Sequence, residues 1–181
     1  MNSRHPSDSS KPSPAPPGTS PLWFLSTAEV KNQLIVVAAG TCQLALPAGA
    51  VEGFEERGLI YPVPRATPLF LGVVASKGRL IPLLSIDKAA SPWEKEPEGF
   101  DFALDLGLQC GPSLAILRRG EELLGIAFER FVGFHGPGEF TGPRPPAPAA
   151  KWVQASGTID EIPVWVVDTG ALFDYCKARL P

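Results

Sequence analysis

The sequence predicts an all-β protein with a short C-terminal helix, arranged as two small β-barrels packed on each other, and three observations carry that prediction. Short apolar runs recur along the chain, each bounded by Gly, Pro or polar turn residues, which is the pattern of half-buried strands. Sliding the chain by 80 positions lays Leu34 on Leu114, Gly40 on Gly120, Leu44 on Leu124, Leu46 on Ile126, Gly53 on Gly133 and Phe54 on Phe134, an internal repeat. A helical pattern follows the last strand, at Ala171 to Cys176 behind the N-cap candidate Asp168. Barrels of so few strands bury too little surface to stand alone, so the two halves, about 34–86 and 114–167, are expected to form similar barrels sharing one core.

Residues 1–21 are rich in Ser and Pro and hold almost nothing apolar to offset the entropy of ordering them, so they read as a disordered tail before a domain spanning 22–181. Pro21-Leu22-Trp23-Phe24-Leu25 is an apolar cluster suited to core packing or to docking, and core packing is the expectation. Leu34–Ala39 and Cys42–Pro47 flank Gly40-Thr41 as a hairpin, with Val51-Glu52-Gly53-Phe54 leaving it. Glu55-Glu56-Arg57-Gly58 reads as a polar turn, and the prolines of Leu59 to Pro64 force an extended approach to the next hairpin.

That central hairpin pairs Leu69–Ala75 with Arg79–Ile86 across Ser76-Lys77-Gly78. Pro82 lacks a ladder donor, so its strand is expected at a sheet edge or bulged, leaving an irregular edge where a partner docks. Asp160 to Trp165 answers Arg79 to Leu84 at a displacement of 81. The second half runs from roughly 100 to 167 and contains a Pro-rich loop, 136–150, read as a flexible excursion or a partner loop. Strands at Trp152–Ser156 and Ile162–Val167 precede the helix.

Composition narrows the function. The 181 residues are 44% hydrophobic, enough for one domain with a real core, and the net charge of −3 leaves no footprint for nucleic acid. No run approaches a membrane span, and the polar stretch 1–11 has no signal-peptide hydrophobic region behind it, so a cytoplasmic protein without membrane insertion is expected. Cys42, Cys110 and Cys176 are widely spaced and read as small buried hydrophobes; no zinc site is expected. With only His5 and His135, general bases are scarce. The acidic pairs Glu55/Glu56, Glu121/Glu122 and Asp160/Glu161 read as solvated turns, and Gly136-Pro137-Gly138 lacks the helix of a phosphate loop. No catalytic residue, cofactor or metal is expected.

Several of these residues together carry a resemblance. Pro64, Phe70-Leu71-Gly72 and Lys77-Gly78-Arg79-Leu80-Ile81-Pro82-Leu83, then Gly125 to Val132, then Ile162 to Phe173, resemble the CheW-like family of adaptor domains from bacterial chemotaxis-type signalling, over roughly Leu34 to Leu180. Lys77 stands where that family usually has arginine, Ala75 where asparagine is common, and Ser85 and Glu129 where aspartate is usual. The resemblance implies two five-stranded SH3-like barrels around a shared core. It also implies a non-catalytic adaptor bridging the cytoplasmic tip of a methyl-accepting-type receptor and the regulatory domain of a CheA-type histidine kinase. By the same resemblance Val51, Glu52, Gly72, Lys77 and Gly78 are receptor-binding candidates, and Phe131, Val132, Gly133 and Phe134 are kinase-binding candidates. A diverged module serving motility or gene regulation without receptor binding is the alternative.

Overall fold

In the computed structural model the described residues are 32–39, 42–64, 69–86, 111–145 and 149–179. They form eleven strands and a helix in the order β1 (Leu34–Ala39), β2 (Cys42–Pro47), β3 (Val51–Glu56), β4 (Ile60–Tyr61), β5 (Phe70–Ser76), β6 (Arg79–Leu84), β7 (Ser113–Arg119), β8 (Glu122–Phe128), β9 (Arg130–His135), β10 (Val153–Ile159), β11 (Ile162–Val167) and α1 (Thr169–Lys177). Trp23, the Gly40-Thr41 turn, Trp93, the stretch 100–108 and Cys110 lie outside the described residues.

The strands make two sheets, a five-stranded one in the order β10-β11-β2-β1-β9 and a six-stranded one in the order β3-β7-β8-β6-β5-β4. Neither sheet is one half of the chain, which corrects the expectation of one barrel per half. The β1–β2 hairpin sits in the sheet of β9 to β11, and the β7–β8 hairpin in the sheet of β3 to β6. Each half lends its first hairpin to the other.

The repeat nevertheless holds in the register. Leu34 faces His135, Ile35 faces Phe134 and Val36 faces Gly133, then a bulge, then Val37 faces Phe131. Eighty residues away in each partner, Leu114 faces Glu55, Ala115 faces Phe54 and Ile116 faces Gly53, then a bulge, then Leu117 faces Val51. The later hairpins match at a displacement of 83 rather than 81: Leu83 pairs with Gly72 and Gly125, as Val166 pairs with Ala155 and Ala45. Pro82 and Pro163 coincide at the smaller value, but the turns decide, and Lys77-Gly78 coincides with Asp160-Glu161.

Burial follows this internal two-fold. Ile35, Val37, Leu44 and Leu46, with their counterparts Ala115, Leu117, Leu124 and Ile126, meet in a core shared by the two sheets and by Leu172 and Phe173 of α1. The alternate residues fill separate barrel interiors, Leu34, Val36, Ala45, Val164 and Val166 in one, Leu114, Ile116, Ile81 and Leu83 in the other. A strand buried on both faces reads as an unbroken apolar run, which is why Leu34–Ala39 shows no alternation, whereas Val51–Glu56 on an edge does.

Three local expectations change. β6 lies inside its sheet between β5 and β8 rather than at an edge, and its parallel ladder with β8 comprises Leu83 and Leu84 without Pro82, whose missing donor that ladder does not need. Glu55 and Glu56 belong to β3 rather than to a turn, because Glu55 pairs with Leu114 and Glu56 with Ser113. Residues 136–145 are pinned rather than loose: Phe140 is buried, Gly142 bridges to Ser156, and Glu139 accepts from Gly136 N at 2.6 Å and meets His135 at 2.7 Å. At the C-terminus Asp168 accepts from Ala171 N at 2.9 Å, capping α1, and burial pushes the Cys176 thiol up to about 12, the behaviour of an inert hydrophobe.

Candidate functional site

All the receptor-binding candidates but Gly72 meet where β3, the last strand of its sheet among the described residues, closes onto the β5–β6 tip. Those strands are far apart in sheet order, so the sheet curls and its ends are joined by side chains. Glu52 sits in the β3 bulge and takes a charged hydrogen bond from Arg79, with Arg118 Nη1 at 3.3 Å. Two pleats on, Glu55 accepts from Ser76 Oγ at 2.5 Å and pairs with Lys77 Nζ at 2.8 Å. The hydrogen bond from Arg79 holds the Glu52 carboxyl below its ordinary range, and those from Lys77 and Ser76 do the same for Glu55.

Lys77 and Gly78 both have positive φ, +46° and +76°, the backbone of a two-residue hairpin turn. The turn presents the Lys77 side chain, 72% exposed, but its ammonium is already engaged by Glu55. Val51 is half-buried against the shared core. Gly72 stands apart from this cluster, at the far end of β5, with φ +144° and with the Tyr61 carbonyl oxygen 2.4 Å from where a Cβ would be. Its role there is backbone geometry. The structure thus brings together Val51, Glu52, Lys77 and Gly78, and separates Gly72.

The kinase-binding candidates lie on β9, the edge of the other sheet. Phe131 is 47% and Phe134 38% exposed, and their rings stack edge to face at 5.2 Å. Val132 turns inward at the bulge onto the barrel interior, and Gly133 faces Val36. By the register, Phe131 to Phe134 are the counterparts of Val51 to Phe54, so the two candidate surfaces are the same place on two related barrels. Their chemistry differs. One barrel closes on Glu52 and Glu55 with Ser76, Lys77 and Arg79; the other closes with Val132 and Ile159 packed on its interior and presents the acidic turn Asp160-Glu161.

Sequence reasoning missed Glu55, Ser76, Arg79 and Arg118, which hold the first site together. The 80-residue shift lays Glu55 on His135, but only the structure puts those two positions inside strands. Of the departures, Ala75 is exposed opposite Leu80, Ser85 N donates to Leu69 O at 2.9 Å, and Glu129 N donates to Ala38 O at 2.8 Å.

The sequence model of the CheW-like domain matches residues 33–177. The chain belongs to the CheW-like domain family. Among solved structures it is similar to the scaffolding protein TtCheW from Thermoanaerobacter tengcongensis, with a TM-score of 0.55 at 11% identity, covering 76% of this chain and 88% of that one. That likeness is one of fold. No curated protein matches the chain in sequence. The CheW-like family is one of non-catalytic scaffolds, and the mostly β architecture with two sheets and one short C-terminal helix agrees with it. Among the described residues no helix is long and apolar enough to cross a membrane.

Proposed function

We propose that this CheW-like domain is a cytoplasmic, non-catalytic adaptor that couples the cytoplasmic tip of a methyl-accepting-type receptor to the regulatory domain of a CheA-type histidine kinase. The observation that carries the reading is the pair of related edge surfaces of unlike chemistry. A bridging protein needs two docking faces that its partners do not confuse, and unlike chemistry on the two faces supplies the discrimination. The charged face of Glu52, Lys77 and Gly78 suits the polar surface of a receptor helix, and the Phe131/Phe134 face suits an apolar kinase strand or loop.

The test is a titration of wild-type protein and two variants against a receptor-tip fragment and a kinase regulatory-domain fragment, with circular dichroism to confirm folding. Lys77→Glu should weaken the receptor fragment at least several-fold and spare the kinase fragment; Phe131→Ser with Phe134→Ser should do the reverse. Loss of both partners by either variant alone would overturn the assignment of faces.

A second reading has one observation in its favour. The Lys77 ammonium is held by Glu55, and lysine lacks the planar fork that arginine offers a second acceptor. A diverged module that has given up receptor binding and serves a motility or gene-regulatory pathway fits that engagement. Wild-type protein that binds the kinase fragment and shows no affinity for receptor tips would select it.

A further inference from the structure

We propose that the receptor is anchored on an apolar stripe across the outer face of β4, β5 and β6, formed by Leu80, Pro82, Val73 and Tyr61, with Lys77 as its flanking charge. The inference rests on the adaptor reading above and names the part of the receptor that the site takes: an amphipathic helix with an acidic residue beside its apolar side.

The stripe follows from the register. Tyr61 pairs with Val73, Val73 with Pro82, and Ala75 with Leu80, so these five side chains share one face of the three strands. Ile60, Val74 and Ile81 take the other face, toward the barrel interior. On β6 the outer face begins with Leu84, buried in the core shared by the two sheets, and continues through Pro82 to Leu80. Among the described residues the cover stops there. Leu80 is 69% exposed and Tyr61 51%, Val73 and Pro82 are half-buried, and Ala75, exposed opposite Leu80, is too small to shield it. A core face that runs on past its own cover is an apolar patch of the kind that marks a partner site. The other exposed apolar side chains lie elsewhere or extend this one. Phe131, Phe134 and Ile162 belong to the other sheet, and Phe54, on β3 at the opposite end of the strand order, packs edge to face on Phe128 at 5.7 Å. Leu59 and Val63 flank Tyr61, two residues away on either side.

The surroundings select a helix as the occupant. β4, the last strand of its sheet among the described residues, is two residues long and is followed by Pro62 and Pro64, which have no N–H to offer an added strand. A partner therefore lies over the face and binds through side chains. Two strand spacings of ~4.8 Å and two residues of strand rise put Leu80 roughly 12 Å from Tyr61, and positions i and i+7 or i+8 on one side of a helix lie ~10.5–12 Å apart along its axis. The residues between them, at i+3 and i+4, then fall over Val73 and Ala75. At the Leu80 end the turn presents Lys77, an ammonium with three donors whose partner among the described residues is Glu55, and an acidic residue of the helix meets it there. A second copy of this chain is no match through α1, whose apolar residues Leu172, Phe173, Tyr175 and Cys176 are already buried. Gly72, set apart from the tip cluster, serves the same face: without a Cβ it admits the Tyr61 carbonyl, so β4 lies close enough for Tyr61 to complete the stripe.

The test is calorimetric titration of a receptor-tip fragment into the full chain, wild type and the variants Leu80→Ser, Tyr61→Ser and Leu80→Met, at several temperatures. Leu80 and Tyr61 are exposed, so the melting temperature should hardly move. Each serine variant should lower the affinity at least several-fold and make the heat-capacity change of binding less negative, because less apolar surface is buried, while Leu80→Met binds like the wild type. Affinity should fall as salt is raised, and Lys77→Gln should flatten that dependence. A wild type that binds the fragment and serine variants that bind it equally well overturn the stripe and leave the adaptor reading standing. A salt dependence that Lys77→Gln leaves unchanged overturns the acidic flank. A wild type with no affinity for the fragment overturns the adaptor reading, and this inference with it.

Discussion

Lys77 Nζ lies 2.8 Å from Glu55, a residue of a strand at the opposite end of the same sheet. The pair fastens the β5–β6 tip to β3, so the lysine has a structural partner before any docking partner arrives. Lys77→Glu would set two carboxylates face to face and push the tip away, which separates two roles. If the turn serves only to hold its own position, exchanging the charges with Glu55→Lys and Lys77→Glu restores receptor affinity. We expect the exchange to recover the melting temperature but only part of the affinity, because in the proposed docking the receptor meets a positive charge at the tip itself. Full recovery in a double-mutant titration would assign Lys77 to positioning alone.

Acid should loosen the same closure. The folded-state pKa values of Glu52 and Glu55 lie below the ordinary 4.5, through their hydrogen bonds from Arg79 and from Lys77 and Ser76. A carboxylate whose folded pKa is depressed contributes stability that is fully present above its unfolded value and lost as pH falls through the folded one. The expected outcome is a flat melting temperature from neutral pH down to about 5, then a decline below 4.5 that is smaller in the Glu52→Gln, Glu55→Gln variant. An equal decline in wild type and variant would place the acid sensitivity elsewhere.

Gly72 and Gly78 should respond differently to alanine. Both have positive φ, but a Cβ on Gly78 meets nothing within 4 Å, while one on Gly72 meets the Tyr61 carbonyl oxygen at 2.4 Å. Gly78→Ala is expected to cost about 1 kcal/mol, from the left-handed backbone alone. Gly72→Ala adds a backbone collision and should cost at least ~2 kcal/mol, seen as a drop of several degrees in the melting temperature. Comparable losses in the two variants would contradict the tight approach of β4 to β5.

The acidic turn offers the converse test. Asp160 and Glu161 hold φ of +50° and +66° without glycine at either place. Glu161→Gly relieves one strained position and should raise stability by about 1 kcal/mol, a midpoint shift of roughly 2–4 °C. A destabilised variant would mean that the Glu161 side chain makes a compensating contact.

Much of this molecule was decided locally. The ranges of β1, β2 and β11 followed from apolar runs between turn residues, and α1 began where Asp168 can cap it, because strand and cap chemistry depend on neighbours in sequence. The 80-residue repeat was legible for the same reason, since each half repeats the same local units. Phe131 and Phe134 became candidates through family resemblance, and nothing in their spacing announced that their rings touch. Tertiary structure alone decided which hairpin joins which sheet. The apolar runs of β1–β2 and β7–β8 fit either barrel equally well, and burial on both faces is achieved only when each hairpin crosses to the other half and lies between a barrel interior and the shared core. The same crossing curls each sheet and brings Glu55 to Lys77 and Glu52 to Arg79, pairs separated by 22 and 27 residues, so charges that read as solvated turns in the sequence became the closure of a barrel.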